Sequence, residues 1–134
     1  MTVYVITGPP AAGKTTWIRE RAKPGDITID YDDLVQALSP GLPSDPVEQP
    51  KDVVDVAMAA RRAAINEAAE VACDVYVVQA TPSRRSLRQY TAWGWQVITV
   101  DPGRDECMRR AVEGGRTARQ LGVIGDWYQR HGHE

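Results

Sequence analysis

The chain has 134 residues, which is room for one domain with a real core and not for two. With 43% hydrophobic and 25% charged residues and a formal charge of −2, it reads as an ordinary globular protein. That balance excludes a generic nucleic-acid coat protein, and no apolar run approaches membrane-spanning length. The small net charge hides an asymmetry. Residues 1–81 carry seven Lys/Arg against twelve Asp/Glu, whereas residues 82–134 carry nine arginines against six acids, so the C-terminal part is the one suited to grip phosphates.

In chain order, residues 3–7 (Val-Tyr-Val-Ile-Thr) form a β-branched and aromatic run of strand length. The stretch that follows, Gly8-Pro9-Pro10-Ala11-Ala12-Gly13-Lys14-Thr15, reads G-x-x-x-x-G-K-T, with a helix expected over 15–22. Strand, glycine-bounded loop and helix start form an anion cradle, in which backbone N–H groups point inward and the helix dipole adds positive charge. Gly8, Ala11, Ala12, Gly13, Lys14, Thr15 and Thr16 are the expected nucleotide-binding residues, with ATP the expected nucleotide. Lys14 can reach the β/γ-phosphates, and the Thr15 hydroxyl can ligate Mg²⁺. Only seven residues precede the loop, and no charged head followed by a long apolar stretch is present, so a cytoplasmic location is expected.

A turn at Pro24-Gly25-Asp26 leads to a short strand over 27–30. Asp30-Tyr31-Asp32-Asp33 opens a helix running to Leu38; of its three aspartates one can be a catalytic base, one a helix cap and one merely solvated. Residues 39–50 hold four prolines and read as a surface loop without regular structure. The longest helix is expected over 51–73, followed by a buried strand over 75–78. Gln79-Ala80-Thr81-Pro82 then precedes a helix from about 83 to 93 that carries Arg84, Arg85 and Arg88. A fourth strand spans 95–100, Asp101-Pro102-Gly103 turns the chain, and a helix covers about 104–112 with Arg109 and Arg110 on it. Gly114-Gly115 and Arg116 belong to a basic, glycine-rich lid segment over 113–120 that also holds Arg119, and a last helix covers about 121–131. Cys73 and Cys107 are isolated, without metal-like spacing, and read as buried or inert. His131 and His133 lie in a polar tail and are assigned no chemistry.

Alternating strands and helices around a phosphate loop imply an α/β P-loop NTPase three-layer sandwich, a single domain over 1–134. The expected parallel sheet has about four strands in the order 2-3-1-4, with helices on both faces. Ligands in such sheets sit at the C-terminal strand ends, where the loop, the Asp30–Asp33 run, the Gln79–Arg85 turn and the Arg109–Arg119 segment converge. Those loci supply the parts of phosphoryl transfer: a cradle, a carboxylate for the acceptor hydroxyl and arginines for the moving charge.

This ordered set resembles the P-loop kinase domain of phage polynucleotide kinase over nearly the whole chain. The resemblance rests on the loop, on Tyr31-Asp32-Asp33 after the second strand, on Gln79 to Arg85 after the third, and on Tyr90 to Gly94-Trp95. It also rests on Arg109-Arg110 with Arg116-Thr117 in the lid. It implies Lys14, Asp32 and Arg116 as catalytic residues, with Asp32 the general base. It further implies Arg109 and Arg110 on the nucleotide and Asp30, Gln79 and Arg84 on the acceptor. Tyr31 and Val35 stand where that family has arginines for the acceptor's phosphate, and Gln79 where it has a carboxylate. The expected activity is transfer of the ATP γ-phosphate to a hydroxyl of a polynucleotide 5′ end, a nucleoside or a modified base. An ATPase or nucleotide switch using Gln79 to place water, and a non-catalytic ATP-binding module, are the alternatives. Nothing calls for a membrane or an obligate protein partner.

Overall fold

The computed structural model describes residues 1–131. Its four strands, β1 (Val3–Thr7), β2 (Ile27–Ile29), β3 (Val75–Val78) and β4 (Gln96–Thr99), form one parallel sheet in the order β2-β3-β1-β4. The helices are α1 (Lys14–Arg19), α2 (Tyr31–Leu38), α3 (Lys51–Ala68), α4 (Arg84–Ala92), α5 (Arg104–Glu113) and α6 (Ala118–Arg130).

The two central strands are apolar on both faces, and their period of two divides the core. Val3 and Val5 of β1, in register with Val75 and Val77 of β3, meet Ile65 and Ala68 of α3 and Tyr90 of α4 on one face. Tyr4, Ile6, Tyr76 and Val78 point the other way, against Trp17 and Ile18 of α1. Tyr4 and Tyr76 stack there with centroids 5.2 Å apart. A third cluster joins Cys107 and Ala111 of α5 to Ile124, Trp127 and Tyr128 of α6, and it includes Ala12 of the phosphate loop. The loop is thereby packed against a helix pair and not left in solvent.

Several boundaries differ from the sequence reading; α1, expected to reach residue 22, ends at Arg19. Helix α3 stops at Ala68, five residues earlier than expected, because the chain turns back so that Asp74 can enter the sheet. There its carboxylate accepts from the Thr2 N–H and its carbonyl accepts from the Ile27 N–H. The proline-rich segment, expected to lack regular structure, contains a 3-10 turn at Pro46–Glu48 capped by Asp45. Helix α6 begins at Ala118, within the expected lid, because Thr117 and Gln120 form a reciprocal capping box. Arg119 is therefore a helical residue, and only Gly114, Gly115, Arg116 and Thr117 connect α5 to α6.

Candidate active site

The phosphate loop gets its shape from three left-handed residues. Gly8 has φ +147°, Ala11 +63° and Gly13 +97°. Such alternation between right- and left-handed residues turns successive N–H groups into one concavity, the form of a backbone anion nest. Gly8 is required twice over, since a Cβ there would lie 2.3 Å from the Val100 carbonyl oxygen just beyond β4. Lys14, the first residue of α1, folds back so that Nζ donates to the carbonyls of Gly8 (2.7 Å) and Pro9 (2.9 Å). One ammonium N–H remains for a ligand. Burial, and then the Arg116 guanidinium, pull the Lys14 pKa down to about 8.

A cavity of about 850 Å³ opens over this loop. It is lined by the loop and the start of α1, by Asp30, Tyr31 and Asp32 at the start of α2, and by Ser44 and Pro46 from the proline-rich segment. Arg110, Arg116, Arg119 and Gln120 close it from the C-terminal part of the chain. The three aspartates left open by the sequence have separate situations. Asp30 caps α2, its Oδ1 accepting from the Asp32 N–H at 3.0 Å. Asp33 is exposed and does not line the cavity. Asp32 lines it, with no hydrogen-bond or ion-pair partner for its carboxylate among the described residues. Burial raises the pKa of both Asp30 and Asp32, and Arg116 opposes that rise at Asp32.

The arginines divide as sharply. Arg116 lines the cavity, its field is felt by both Lys14 and Asp32, and its guanidinium has no hydrogen-bond or ion-pair partner among the described residues. Arg119 is committed elsewhere, making a two-pronged ion pair with the buried Asp45 (Nε to Oδ2 3.1 Å, with Nη2 on Oδ1). Arg110 braces the phosphate loop by donating to the Ala12 carbonyl at 3.2 Å while Glu106 holds its Nε at 2.7 Å.

Gly8 shapes the nest without lining the cavity, and three further expected site residues are not brought into it. Arg109 is held on the surface of α5 between Glu106 and Glu113. Arg84 sits exposed at the first turn of α4. Gln79 turns toward α4, where its Oε1 accepts from the Tyr90 hydroxyl at 2.5 Å. Val35, read as a replaced acceptor contact, is fully buried in the core.

The sequence reading missed the contributions of Asp45, Ser44, Pro46 and Gln120, and it missed Arg61, whose guanidinium donates to the Val78 carbonyl at 3.1 Å. Only Gln120 had a local signal, the T-x-x-Q capping pattern. His131 stacks on Trp127 at the end of α6, away from the cavity, and His133 lies outside the described residues.

The donor set suits Mg²⁺ held jointly with a nucleotide. The Thr15 hydroxyl and the Asp30 and Asp32 carboxylates line the same cavity as the nest. No group of three or more His, Cys, Asp or Glu among the described residues is placed to hold a metal alone. Mg²⁺ is commonly bound this way, by one or two protein oxygens plus phosphates and water. Asp101, just beyond β4, serves the turn and α6, its Oδ1 accepting from the Gly103 N–H and the Tyr128 hydroxyl.

Comparison with known proteins agrees with this layout. The family profile of an AAA domain matches residues 3–124. No curated protein matches the chain. Among solved structures, shikimate kinase from Acinetobacter baumannii in complex with shikimate is similar, with a TM-score of 0.64 and 16% identity over 96% of this chain and 75% of that one. A likeness at that identity speaks for a P-loop kinase-like fold.

Proposed function

Because the chain belongs to the AAA domain family and has a P-loop kinase-like fold, we propose that it is an ATP-dependent phosphotransferase acting on a hydroxyl acceptor. One observation carries the reading: Lys14, Asp32 and Arg116, distant in sequence, line a single cavity with the anion nest. Nucleotide and acceptor meet there, and Asp32 takes the proton from the acceptor hydroxyl. As the acceptor oxygen bonds to the γ-phosphorus, the bond from that phosphorus to the β–γ bridging oxygen breaks and ADP leaves. Lys14 and Arg116 stabilise the charge on the moving phosphoryl group, and Arg110 keeps the loop in shape. Mg²⁺, held through Thr15, would supply further charge neutralisation on the β/γ-phosphates.

Among acceptors, a nucleoside or a base hydroxyl accords better with the cavity than a polynucleotide 5′ end, since Arg84 does not line it and Arg110 and Arg119, which do, are engaged by Glu106 and Asp45. The ATPase reading has less support, because Gln79, its residue for placing water, is held at Tyr90. No helix among the described residues is long and apolar enough to cross a membrane, and a cytoplasmic setting would provide the ATP. Labelled ATP turned over with a panel of nucleosides, oligonucleotides and small alcohols tests the proposal. Transfer of label by the wild type and its loss in Asp32→Asn are expected, whereas full activity of Asp32→Asn would remove the assigned base.

A further inference from the structure

The charges around the cavity are unevenly committed, and this bears on the acceptor. Four cationic side chains line it: Lys14, Arg110, Arg116 and Arg119. Arg110 is engaged by Glu106 and the loop carbonyls, and Arg119 by Asp45. Lys14 is fixed at the nest, so it and Arg116 are the cations left for the triphosphate. Arg61, the remaining cation whose field reaches Asp30, is tied to the Val78 carbonyl and does not line the cavity. Three carboxylates, Glu20, Asp30 and Asp32, also line it, while the Tyr31 hydroxyl is spent on Gln49 (2.7 Å). Glu20 is shared with Arg21 at 3.5 Å and Asp30 caps α2, so Asp32 is the one without a partner among the described residues. Once a triphosphate with its Mg²⁺ occupies the nest, no uncommitted side-chain cation among the described residues lining the cavity remains for a second anionic group, and the net charge of the nucleotide and the lining carboxylates repels one.

Building on the phosphotransferase reading, we propose that the acceptor is a neutral or cationic alcohol with no phosphate beside its reacting hydroxyl. A nucleoside or an amino alcohol fits that class. A polynucleotide 5′ end, with a phosphodiester on the same sugar, does not.

The test offers the wild-type protein, with MgATP, three sets of alcohols: neutral nucleosides, cationic amino alcohols, and the 3′-monophosphates and short 5′-hydroxyl oligonucleotides of the same nucleosides. Gain of one phosphoryl group is followed by mass spectrometry. Conversion confined to the first two sets, or favoured there by about tenfold or more in kcat/KM over the phosphate-bearing counterpart, is expected. Added salt should raise kcat/KM for any phosphate-bearing acceptor that reacts, lower it for cationic ones and leave neutral ones unchanged. Glu20→Gln should narrow the discrimination. A phosphate-bearing acceptor used as well as or better than its neutral counterpart overturns the inference and leaves the phosphotransferase reading standing. If no alcohol in any set gains a phosphoryl group while ATP still binds, the phosphotransferase reading falls and the inference falls with it.

Discussion

Asp32 and Arg116 have in common a side chain that lines the cavity without a hydrogen-bond or ion-pair partner among the described residues, whereas the other charged groups lining it are engaged. An unpaired carboxylate and an unpaired guanidinium near a phosphate nest are placed to meet a substrate, and each makes a prediction. Asp32→Asn should lower kcat about 10²–10⁴-fold while nucleotide affinity changes little, because a general base acts on the chemical step. Arg116→Ala should lower kcat about 10²–10³-fold, and Arg116→Lys should recover only part of that, since a point charge does not reproduce a planar fork. Steady-state kinetics with separately measured nucleotide binding checks both. Lys14 gives the pH dependence. Its pKa in the free protein is about 8, and phosphate oxygens stabilise the ammonium, so the bound pKa lies higher. Below pH 8 both states hold the proton and affinity is level. Above it, binding takes up a proton and affinity falls, by up to about tenfold per pH unit. Calorimetry at pH 9 in buffers of different ionisation enthalpy should report proton uptake, and none in Lys14→Met. At this scale the G-x-x-x-x-G-K-T spacing made the nest legible, because a local pattern specifies a local shape. Which aspartate caps and which faces the cavity was not legible from spacing alone, since Asp30 and Asp32 lie only two positions apart.

The Asp45–Arg119 pair spans 74 residues and joins the proline-rich segment to the first turn of α6. Gln49, buried in the same segment, accepts from Tyr31 next to Asp32 and donates to the Pro43 carbonyl. Ion pair and hydrogen bonds thus link the element bearing Asp32 to the helix that follows Arg116. Asp45→Asn should speed hydrogen exchange of the peptide over 117–123 by about tenfold, and it should reduce kcat more than it weakens nucleotide binding. A charge-reversed pair, Asp45→Arg with Arg119→Asp, should restore part of both. Unchanged exchange in Asp45→Asn would mean that the pair holds nothing in place. Thr117→Ala removes the cap of α6 and should cost about 1 kcal/mol in urea unfolding. Four prolines in twelve residues predicted an irregular segment, and it departs from that at the 3-10 turn over Pro46–Glu48. They could not show that Asp45 lies buried there against an arginine, because that contact is a product of the tertiary fold. The capping box was readable and sets the true start of α6.

Across the whole molecule, the sheet order β2-β3-β1-β4 brings residues from four separate parts of the sequence to one set of strand ends. That order followed from the phosphate loop and from the alternation of strands and helices, both of which the sequence displays. Arg110 on the Ala12 carbonyl, Trp127 Nε1 on the Ala80 carbonyl at 3.0 Å and the packing of Ala12 between α5 and α6 were hidden from it. Such contacts across 47 to 98 residues leave no local pattern. The same contacts make the loop's conformation part of the global fold. Gly8→Ala should therefore destabilise the whole protein by about 2–4 kcal/mol, since the Val100 carbonyl has no flexible route of escape. Nucleotide at a hundred times its Kd should stabilise the wild type by about 2.7 kcal/mol, a rise in Tm of about 8–10 °C. The most direct test of phosphoryl transfer in this cavity follows MgATP by phosphorus NMR with the wild-type protein, with and without an alcohol acceptor. The expected result is ADP appearing together with a phosphomonoester, dependent on the acceptor and lost in Asp32→Asn. ADP formed with an equal amount of inorganic phosphate, indifferent to both acceptor and Asp32, would contradict it.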